Sequence, residues 1–311
     1  MKRMVKFGVG LIPDEDHSLT VTRAVKAEKA GFDYALISDH LKGRNVYVSL
    51  TVVAENTRTV KIGPGVTNPY LIHPAITAQI LASLSEIAPG RIVCGIGAGD
   101  REGLRRLGVE QRRPVTAVRK AAQTISALLA DSRIPILIGA QGDRMLRLAG
   151  EIGDGVIVNA ADPGECRRAV DIVRRSSSET GRSLDGFEWG AEMPFSVAPS
   201  WEDAVKPVLS KVAVIAAGCP DPVLGRLSIL LEDRERLRDA LRRSDHDAVV
   251  RAVTPKMVDS LAVAGTPDAC FEKIQQLIKS GVTLLVLAPP LGPTWDEAVN
   301  LIAEKVLPNI R

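Results

Sequence analysis

Short apolar runs alternate with longer amphipathic segments along almost the whole chain. Each amphipathic segment places its apolar residues at helical spacing, as between Ser18 and Ala30. Alternation of this kind is typical of a parallel sheet whose strands are joined by crossover helices. The apolar runs predict eight strands, at 5–13, 34–39, 60–67, 92–99, 135–140, 154–159, 187–198 and 282–289. Eight strand-helix repeats predict an α/β fold of the (β/α)8 TIM barrel type, and a doubly wound open sheet is the alternative.

The stretch between the seventh and eighth predicted strands is too long for a single crossover helix. It contains helical patterns at 222–243, 246–262 and 267–279. We therefore predict a helical insertion between strands 7 and 8, at about 203–265, near the active-site end of the barrel. Because (β/α)8 barrels of this length are commonly one domain, we predict a single domain over residues 1–311.

Composition narrows the class of protein. The 311 residues are 45% apolar and 25% charged, which is ordinary for a globular chain. The N-terminus has no apolar run of signal-peptide length, and no segment approaches the roughly 18 apolar residues of a membrane span, so we expect a cytoplasmic protein without membrane contact. The net charge of +3 is spread along the chain, without a basic stripe that alternates with aromatic residues, so nucleic acid is not an expected partner.

Cysteine and histidine spacing gives no sign of a metal site. The cysteines stand far apart in the sequence, and we predict reduced thiols in the core at Cys94, Cys166, Cys219 and Cys270. The histidines likewise lack the spacing of metal ligands.

Chemistry in a (β/α)8 barrel is carried by the residues that follow the strands. The second strand ends in Asp39 and His40, a carboxylate and an imidazole that can exchange protons near neutral pH. Asp39 and His40 are therefore candidate catalytic residues, and the alternative is a helix cap beside a packed histidine. The sequence contains no G-x-S-x-G nucleophile motif, so a bound cofactor is expected to carry the reaction.

Glycines follow several of the strands. GPGVTN (63–68) ends the third strand, GIGAGD (95–100) ends the fourth, and GAQG (139–142) ends the fifth, directly before a helix. A helix N-terminus after such a loop favours an anion. Several of these loops at one end of a barrel predict a large planar ligand that carries phosphate, whereas one loop alone would be an ordinary turn. Asp100 stands where the G-x-G-x-x-G motif requires its last glycine, and GAQGDR lacks the lysine of a Walker loop.

Longer motifs resemble those of one enzyme family. They are Arg44-Asn45-Val46-Tyr47 after Asp39-His40, IGPGVTNPY (62–70), GRIVCGIGAGD (90–100), PILIGAQG (135–142), EIGDGVIVN (151–159) and AGTPD (264–268). Together they resemble the bacterial-luciferase-like flavoenzymes, and within these the coenzyme F420-dependent methylenetetrahydromethanopterin reductases. The resemblance runs in order along nearly the whole chain.

The resemblance implies a cofactor and a reaction. Members of the family are (β/α)8 barrels that bind coenzyme F420, an 8-hydroxy-5-deazaflavin with an acidic tail, and FMN is the less favoured cofactor. The implied oxidoreductase reaction is a one-carbon step of methanogenesis. In it a hydride passes from reduced F420 to the methylene carbon of methylenetetrahydromethanopterin and gives the methyl form. The family also implies a homo-oligomer with a small pterin as substrate.

The resemblance further implies roles for individual residues. In the family a cis peptide bond at the bulge of the third strand backs the deazaflavin ring, and the matching bond here joins Gly65 to Val66. The implied catalytic residues are Asp39 and His40. The implied substrate contacts are Arg44, Asn45 and Tyr47. The implied cofactor contacts, of which 139–142 hold the phosphate, are Gly65, Val66, Thr67, Asn68, Gly97, Ala98, Gly99, Gly139, Ala140, Gln141, Gly142 and Asn159.

Two departures from the family pattern leave the substrate open. Gly10 stands where the first strand of the reductases ends in a glutamate that faces the hydride-transfer centre, and segment 130–135 is shorter than in the family. Gly10 favours an F420-dependent or FMN-dependent oxidoreductase with another substrate, or a cofactor-binding protein without turnover. The short segment belongs to the face opposite the active site, so we expect it to change the surface or the assembly more than the chemistry.

Overall fold

The computed structural model describes residues 4–14, 16–39 and 43–310. Within these ranges the strands are Lys6–Leu11 (β1), Tyr34–Ile37 (β2), Lys61–Pro64 (β3), Cys94–Ile96 (β4), Ile136–Ala140 (β5), Gly155–Asn159 (β6), Glu188–Val197 (β7), Val263–Gly265 (β8) and Leu284–Leu291 (β9).

The helices in the same ranges are His17–Lys29 (α1), Val46–Asn56 (α2), Pro74–Ile87 (α3), Arg101–Arg106 (α4), Pro114–Leu128 (α5), Asp143–Ile152 (α6), Pro163–Glu179 (α7), Trp201–Gly218 (α8), Asp221–Arg226 (α9), Leu231–Arg242 (α10), His246–Ala252 (α11), Pro255–Leu261 (α12), Pro267–Lys279 (α13) and Trp295–Leu301 (α14). A π-helical turn and a 3-10 turn continue α14, at Ile302–Val306 and Leu307–Asn309. Among the helices described here, none is both long enough and apolar enough to cross a membrane.

Eight of the strands form the predicted barrel. They follow the order β3-β2-β1-β9-β7-β6-β5-β4, pair in parallel and have helices between them. Parallel bridges from Ile62 to Ile92 and from Thr67 to Ile96 join the two ends of this order, so the ring of strands is nearly closed. The (β/α)8 prediction is confirmed.

The structure corrects the sequence prediction between β7 and β9. A three-residue strand that was not predicted, β8, pairs in parallel with the end of β7, with Phe195 opposite Val263. The helical pattern at 246–262 forms two helices because Pro255 has no N–H to donate, and the extended Thr254 before it caps α12. The pattern at 222–243 is also interrupted, near Ser228, whose φ of 55° is left-handed.

Two compact units are distinguished along the chain. The first consists of Met1–Asn159, Arg168–Ala191 and Thr283–Val286. At its centre is an apolar cluster to which β2 contributes Tyr34 and Leu36. Gly10 on β1 and Gly63 on β3 lie opposite Leu36 in the parallel register. Because residues in register share a face of the sheet, Gly10 faces the same interior as Leu36.

The second unit consists of Ala160–Arg167, Glu192–Val282 and Leu287–Arg311. Apolar residues of α8–α12 form its core, among them the fully buried Val212 and Leu237. Arg234 is 7% exposed beside this core, where its guanidinium pairs with Asp221 and donates to the Cys219 carbonyl oxygen. The predicted insertion at about 203–265 corresponds to part of this unit, and the single-domain assignment stays a prediction.

The four cysteines are buried free thiols, which confirms the prediction of reduced core residues. Burial raises the pKa of Cys94 to about 12. A thiol with so high a pKa stays protonated near neutral pH, so Cys94 is a packing residue rather than a nucleophile.

Candidate active site

The chain bulges at the end of β3, where the sequence predicts a contact with the cofactor ring. The Gly65–Val66 peptide bond is cis, as the family resemblance implied. Two backbone hydrogen bonds fix the residue that follows. The Thr67 N–H donates to the Gly95 carbonyl oxygen at 2.9 Å, and the Gly97 N–H donates to the Thr67 carbonyl oxygen at 2.9 Å. The bulge is therefore held against the end of β4.

The Val66 side chain fills space that neighbouring glycines leave open. A β-carbon added at Gly97 would lie 2.9 Å from Val66 Cγ2, and one added at Gly139 would lie 3.1 Å from the same methyl group. One added at Gly95 would lie 3.1 Å from Val66 Cγ1. Because close-packed interiors leave no room for such approaches, larger residues at Gly97 or Gly139 would displace Val66, whereas a β-carbon at Gly95 would first meet the Pro64 carbonyl oxygen, 2.2 Å away. Val66 also packs on the interior apolar cluster, so it caps that cluster at this end of the strands.

Asp39 is connected to Tyr47 through Thr67. The Thr67 hydroxyl donates to Asp39 Oδ2 at 2.7 Å, and 3.1 Å separates the Thr67 and Tyr47 hydroxyl oxygens. Burial raises the pKa of Tyr47, and the side-chain hydrogen bonds that Tyr47 makes with Thr67 and Thr77 offset only part of this rise. The predicted catalytic residue Asp39 and the predicted substrate contact Tyr47 thus belong to one hydrogen-bonded group. His40, the other predicted catalytic residue, lies outside the described residues.

The other two predicted substrate contacts make structural bonds around the start of α2. Asn45 Oδ1 accepts the N–H groups of Tyr47 and Val48, at 3.0 and 3.3 Å, and so caps the helix. The exposed Arg44 donates through Nη1 to the Asp14 carbonyl oxygen at 2.8 Å. Both residues therefore hold the segment that presents Tyr47, and their contact with a substrate stays a prediction.

The loop after β4 is fastened by a glutamine that no sequence motif indicated. The Gln111 side-chain amide donates to the carbonyl oxygens of Ala98 and Gly99, at 2.7 and 3.1 Å. Gly99 has a φ of 75°, and a β-carbon there would lie 3.0 Å from Asn68 Cβ. Both the backbone conformation and the lack of space therefore favour glycine at this position. Asn68 is buried and accepts the Tyr70 N–H at 3.1 Å. The loops that follow β3 and β4 therefore support each other.

The GAQG loop leads into the N-terminus of α6. Gly142 is the N-cap residue and makes no side-chain hydrogen bond to the helix, and a β-carbon there would meet nothing within 4 Å. Asp143 in the first turn pairs with Arg168 Nη1 at 2.5 Å, which offsets its negative charge. Ala140 is buried, whereas Gln141 and Gly142 are exposed. An anionic group fits this position because the helix N-terminus offers N–H donors and a positive dipole end.

The predicted cofactor contacts all lie at one end of the strands. Asn159 is the exposed last residue of β6 and directly follows Val158, the register partner of Ala140 on β5. The C-terminal ends of β3, β4, β5 and β6 thus present the predicted contacts, as expected of a barrel active site. Contact of each residue with a cofactor stays a prediction.

Comparison with known proteins places this strand-end arrangement in a family. The model of the luciferase-like monooxygenase family matches residues 6–284. The chain belongs to this family. The 5,10-methylenetetrahydromethanopterin reductase of Archaeoglobus fulgidus is 38% identical over 333 residues, covering 99% of this chain and 100% of the relative. The protein of the same name from Methanopyrus kandleri is 34% identical over 346 residues, covering 99% of each chain.

A solved structure agrees with these relatives. The coenzyme F420 dependent tetrahydromethanopterin reductase from Methanopyrus kandleri matches with a TM-score of 0.94 and 32% sequence identity, covering 99% of this chain and 100% of that one. The luciferase-like fold therefore extends over nearly all of the chain.

A carboxyl group on β7 was not indicated by the luciferase-like motifs. Burial raises the pKa of Glu192 to about 7, against a smaller opposite effect of Lys211. The Glu192 carbonyl oxygen accepts the Ala160 N–H at 3.2 Å. Only the presence of an acidic residue between the apolar Ala191 and Met193 in the strand EWGAEMPFSV could have indicated it. A carboxyl group with this pKa can donate or accept a proton near neutral pH.

A cavity of about 370 Å³ lies at the opposite, N-terminal ends of the strands of this luciferase-like barrel. Tyr34, Lys61 and Glu188, the first residues of β2, β3 and β7, line it. The Tyr34 hydroxyl donates to Glu188 Oε1 at 3.1 Å, and Lys6 pairs with the same carboxylate. Because barrel active sites lie at the C-terminal ends, we assign these contacts to stability.

Proposed function

We propose that the protein is a coenzyme F420-dependent 5,10-methylenetetrahydromethanopterin reductase. In this reaction a hydride passes from reduced F420 to the methylene carbon of the pterin, and the methyl form is produced. The names of the two relatives and of the solved structure, each at more than 30% identity over 99% of this chain, support the assignment.

The observation that carries the proposal is the apolar surface formed by Val66 at the end of the barrel strands. The valine is raised by the bulge after β3 and is backed by Gly95, Gly97 and Gly139. A flat ring needs a flat, non-ionic support, and a branched aliphatic side chain held from behind provides one. The absence of an acid, base or nucleophile on the bulge is consistent with a cofactor that brings its own reactive group.

The acidic tail of F420 fits the N-terminus of α6. The space beside Gly142 is open, Gly142 itself provides no side-chain cap to the helix, and the Asp143 carboxylate is paired with Arg168. Gly139, Ala140, Gln141 and Gly142 would hold the phosphate there through the backbone and the helix dipole.

When bound, reduced F420 supplies the hydride. The protein supplies support at Val66, anion binding at α6 and a polar group at Asp39, which the Thr67 hydroxyl holds by a 2.7 Å hydrogen bond. We propose that Asp39 faces the reacting groups at the edge of the ring. Its carboxylate is suited to hold a proton or to stabilise positive charge on the pterin.

A second candidate is an F420-dependent oxidoreductase that acts on another substrate, and Gly10 favours it. Gly10 faces the interior of β1 opposite Leu36, so the position has no side chain that could act on a pterin. The first candidate rests on the named relatives, and the second rests on this one missing acid.

Turnover by the purified protein separates these candidates. The protein is incubated with reduced F420 and 5,10-methylenetetrahydromethanopterin, and the return of oxidised deazaflavin absorbance is followed. Stoichiometric formation of the methyl pterin supports the reductase. Tight binding of F420 without turnover supports a cofactor-binding protein, and oxidation of F420 only with another substrate supports the second candidate. Binding of FMN without binding of F420 would exclude both F420-dependent candidates.

A Gly10→Glu variant tests the role of the missing acid directly. A large gain in pterin turnover relative to the unchanged chain would show that the absence of an acid at position 10 limits the reaction. The cytoplasmic location and the homo-oligomer expected from the sequence stay predictions.

A further inference from the structure

We propose that Tyr47 is a positioning residue that acts on Asp39 through Thr67, rather than a residue that binds the substrate. The proposal rests on the proposed function, because it takes Asp39 to face the reacting groups. Its basis is a continuous series of side chains, Tyr47, Thr67 and Asp39, with oxygen separations of 3.1 and 2.7 Å.

The direction of the two hydrogen bonds follows from a count of protons. An ionised carboxylate only accepts, so the one hydroxyl proton of Thr67 is committed to Asp39. Thr67 can then only accept in its bond with Tyr47, so the phenol is the donor in that bond, and Thr77 is the second side-chain partner of the phenol. Because burial raises the Tyr47 pKa, the phenol keeps that proton near neutral pH. In this arrangement both protons point along the series toward Asp39.

Tyr47 is too enclosed to serve as a substrate contact. Tyr47 is 5% exposed, and its backbone N–H donates to Asn45 Oδ1, which caps the start of α2. Burial and the cap hold the phenol in place, and its hydroxyl is already engaged with Thr67.

Thr67 is also fixed in place, so its hydroxyl can determine the position of the Asp39 carboxylate. It is 1% exposed, and its N–H and carbonyl oxygen are bonded to Gly95 and Gly97 on the β4 side. With its backbone fixed on both sides, the hydroxyl has a set place between Tyr47 and Asp39. The Asp39 carboxylate, at the end of β2 and partly exposed, is thereby held by a group on β3.

Kinetics of four variants test the proposal. Thr67→Val keeps the shape but removes the hydroxyl, and we expect kcat to fall about tenfold or more while the Kd for F420 stays within about twofold. Thr67→Ser restores the hydroxyl and is expected to recover kcat to within about threefold. Tyr47→Phe is expected to lower kcat about threefold to tenfold with little change in KM for the pterin. The double variant Thr67→Val with Tyr47→Phe is expected to match Thr67→Val alone, because Tyr47 acts only through Thr67.

Tyr34→Phe is the matched control. It removes a buried phenol that also hydrogen-bonds a carboxylate, Glu188, but at the N-terminal ends of the strands. Its kcat is expected to equal that of the unchanged protein, even where its thermal stability falls. A loss of kcat in Tyr34→Phe as large as in Tyr47→Phe would show that the effect is one of general stability, and the proposal would be wrong.

Two further results would overturn the proposal. Additive losses in the double variant would show that Tyr47 acts independently of Thr67. A selective rise in pterin KM in Tyr47→Phe would return Tyr47 to the substrate contacts.

A measurement without turnover separates this proposal from the proposed function. If the unchanged protein does not turn over the pterin, the proposed function fails. The positioning of Asp39 is then judged from crystals of the Thr67→Val and Thr67→Ser variants. We expect the Asp39 carboxylate to rotate away in Thr67→Val and to keep its place in Thr67→Ser. An unmoved carboxylate in Thr67→Val would refute the positioning role whatever the substrate.

Discussion

Replacement of Gly97 by alanine is expected to push Val66 out of place. The added β-carbon would lie 2.9 Å from Val66 Cγ2, about 0.5 Å inside the 3.4 Å at which ordinary contact begins. Val66 has little room to retreat, because its methyl groups also lie against Gly95 and Gly139. Overpacking of this kind typically costs about 1–3 kcal/mol. The remaining direction of movement for Val66 is toward the proposed cofactor site.

Two measurements check this expectation. Urea unfolding should show a free energy of unfolding lower by about 1–3 kcal/mol, and F420 titration should show binding about tenfold weaker, equivalent to about 1.4 kcal/mol. Gly225→Ala is the control, because a β-carbon at that helical position meets nothing within 4 Å. This control should leave F420 binding unchanged and keep or slightly raise stability.

The decisive comparison is a double-mutant cycle with Val66→Ala. Removing the Val66 methyl groups creates the space that the Gly97→Ala side chain needs, so the double variant should lose at least about 1 kcal/mol less than the sum of the single losses. Strictly additive losses would show that Val66 is not the group displaced, and the packing argument would be refuted.

Three other residues give independent predictions. Burial raises the Glu192 pKa to about 7, so the stability contributed by its protonated form is lost as the pH rises through 7. The free energy of unfolding of the unchanged protein, relative to that of Glu192→Gln, should fall by up to about 3 kcal/mol between about pH 5 and pH 8. A difference in melting temperature between the two proteins that does not change with pH would contradict this. Asn45→Ala should cost about 1 kcal/mol through loss of the α2 cap, with Asn45→Ser largely preserving stability; a rise in substrate KM without loss of stability would favour the predicted substrate contact instead. Gln111→Ala should weaken F420 binding about tenfold, measured by titration, because the carbonyl groups of Ala98 and Gly99 lose their donor; unchanged affinity would separate this loop from the cofactor.

The barrel and its strand ends could be predicted from the sequence because they depend on local pattern. Apolar runs of strand length, separated by helical spacing, specify the order of elements, and the residues that follow each run then specify the active-site end. The cis bond between Gly65 and Val66 could be predicted only from the family resemblance, because a Gly-Val pair by itself does not indicate a cis peptide bond. The strand β8 was missed because three residues are too few to show alternation.

The contacts within the candidate site could not be predicted because they join residues distant in sequence. A glycine in the sequence can indicate that a neighbouring group needs space, but it does not identify that group. At Gly97 and Gly139 the nearest group is Val66. Tyr47 could be placed near the mouth of the barrel from its position at the start of α2. The direction of its hydroxyl toward Thr67, twenty residues later, depends on how α2 packs against the end of β3.

The packing around Val66 restricts how this end of the barrel can evolve. Positions 66, 97 and 139 share one small volume, so a gain of carbon atoms at one of them requires a loss at another. Among related chains, the side-chain volumes at these positions should covary, and alanine at position 97 should accompany a residue smaller than valine at position 66. Single substitutions here would be removed by selection, whereas paired ones would persist, and each surviving pair would present a differently shaped surface to the cofactor.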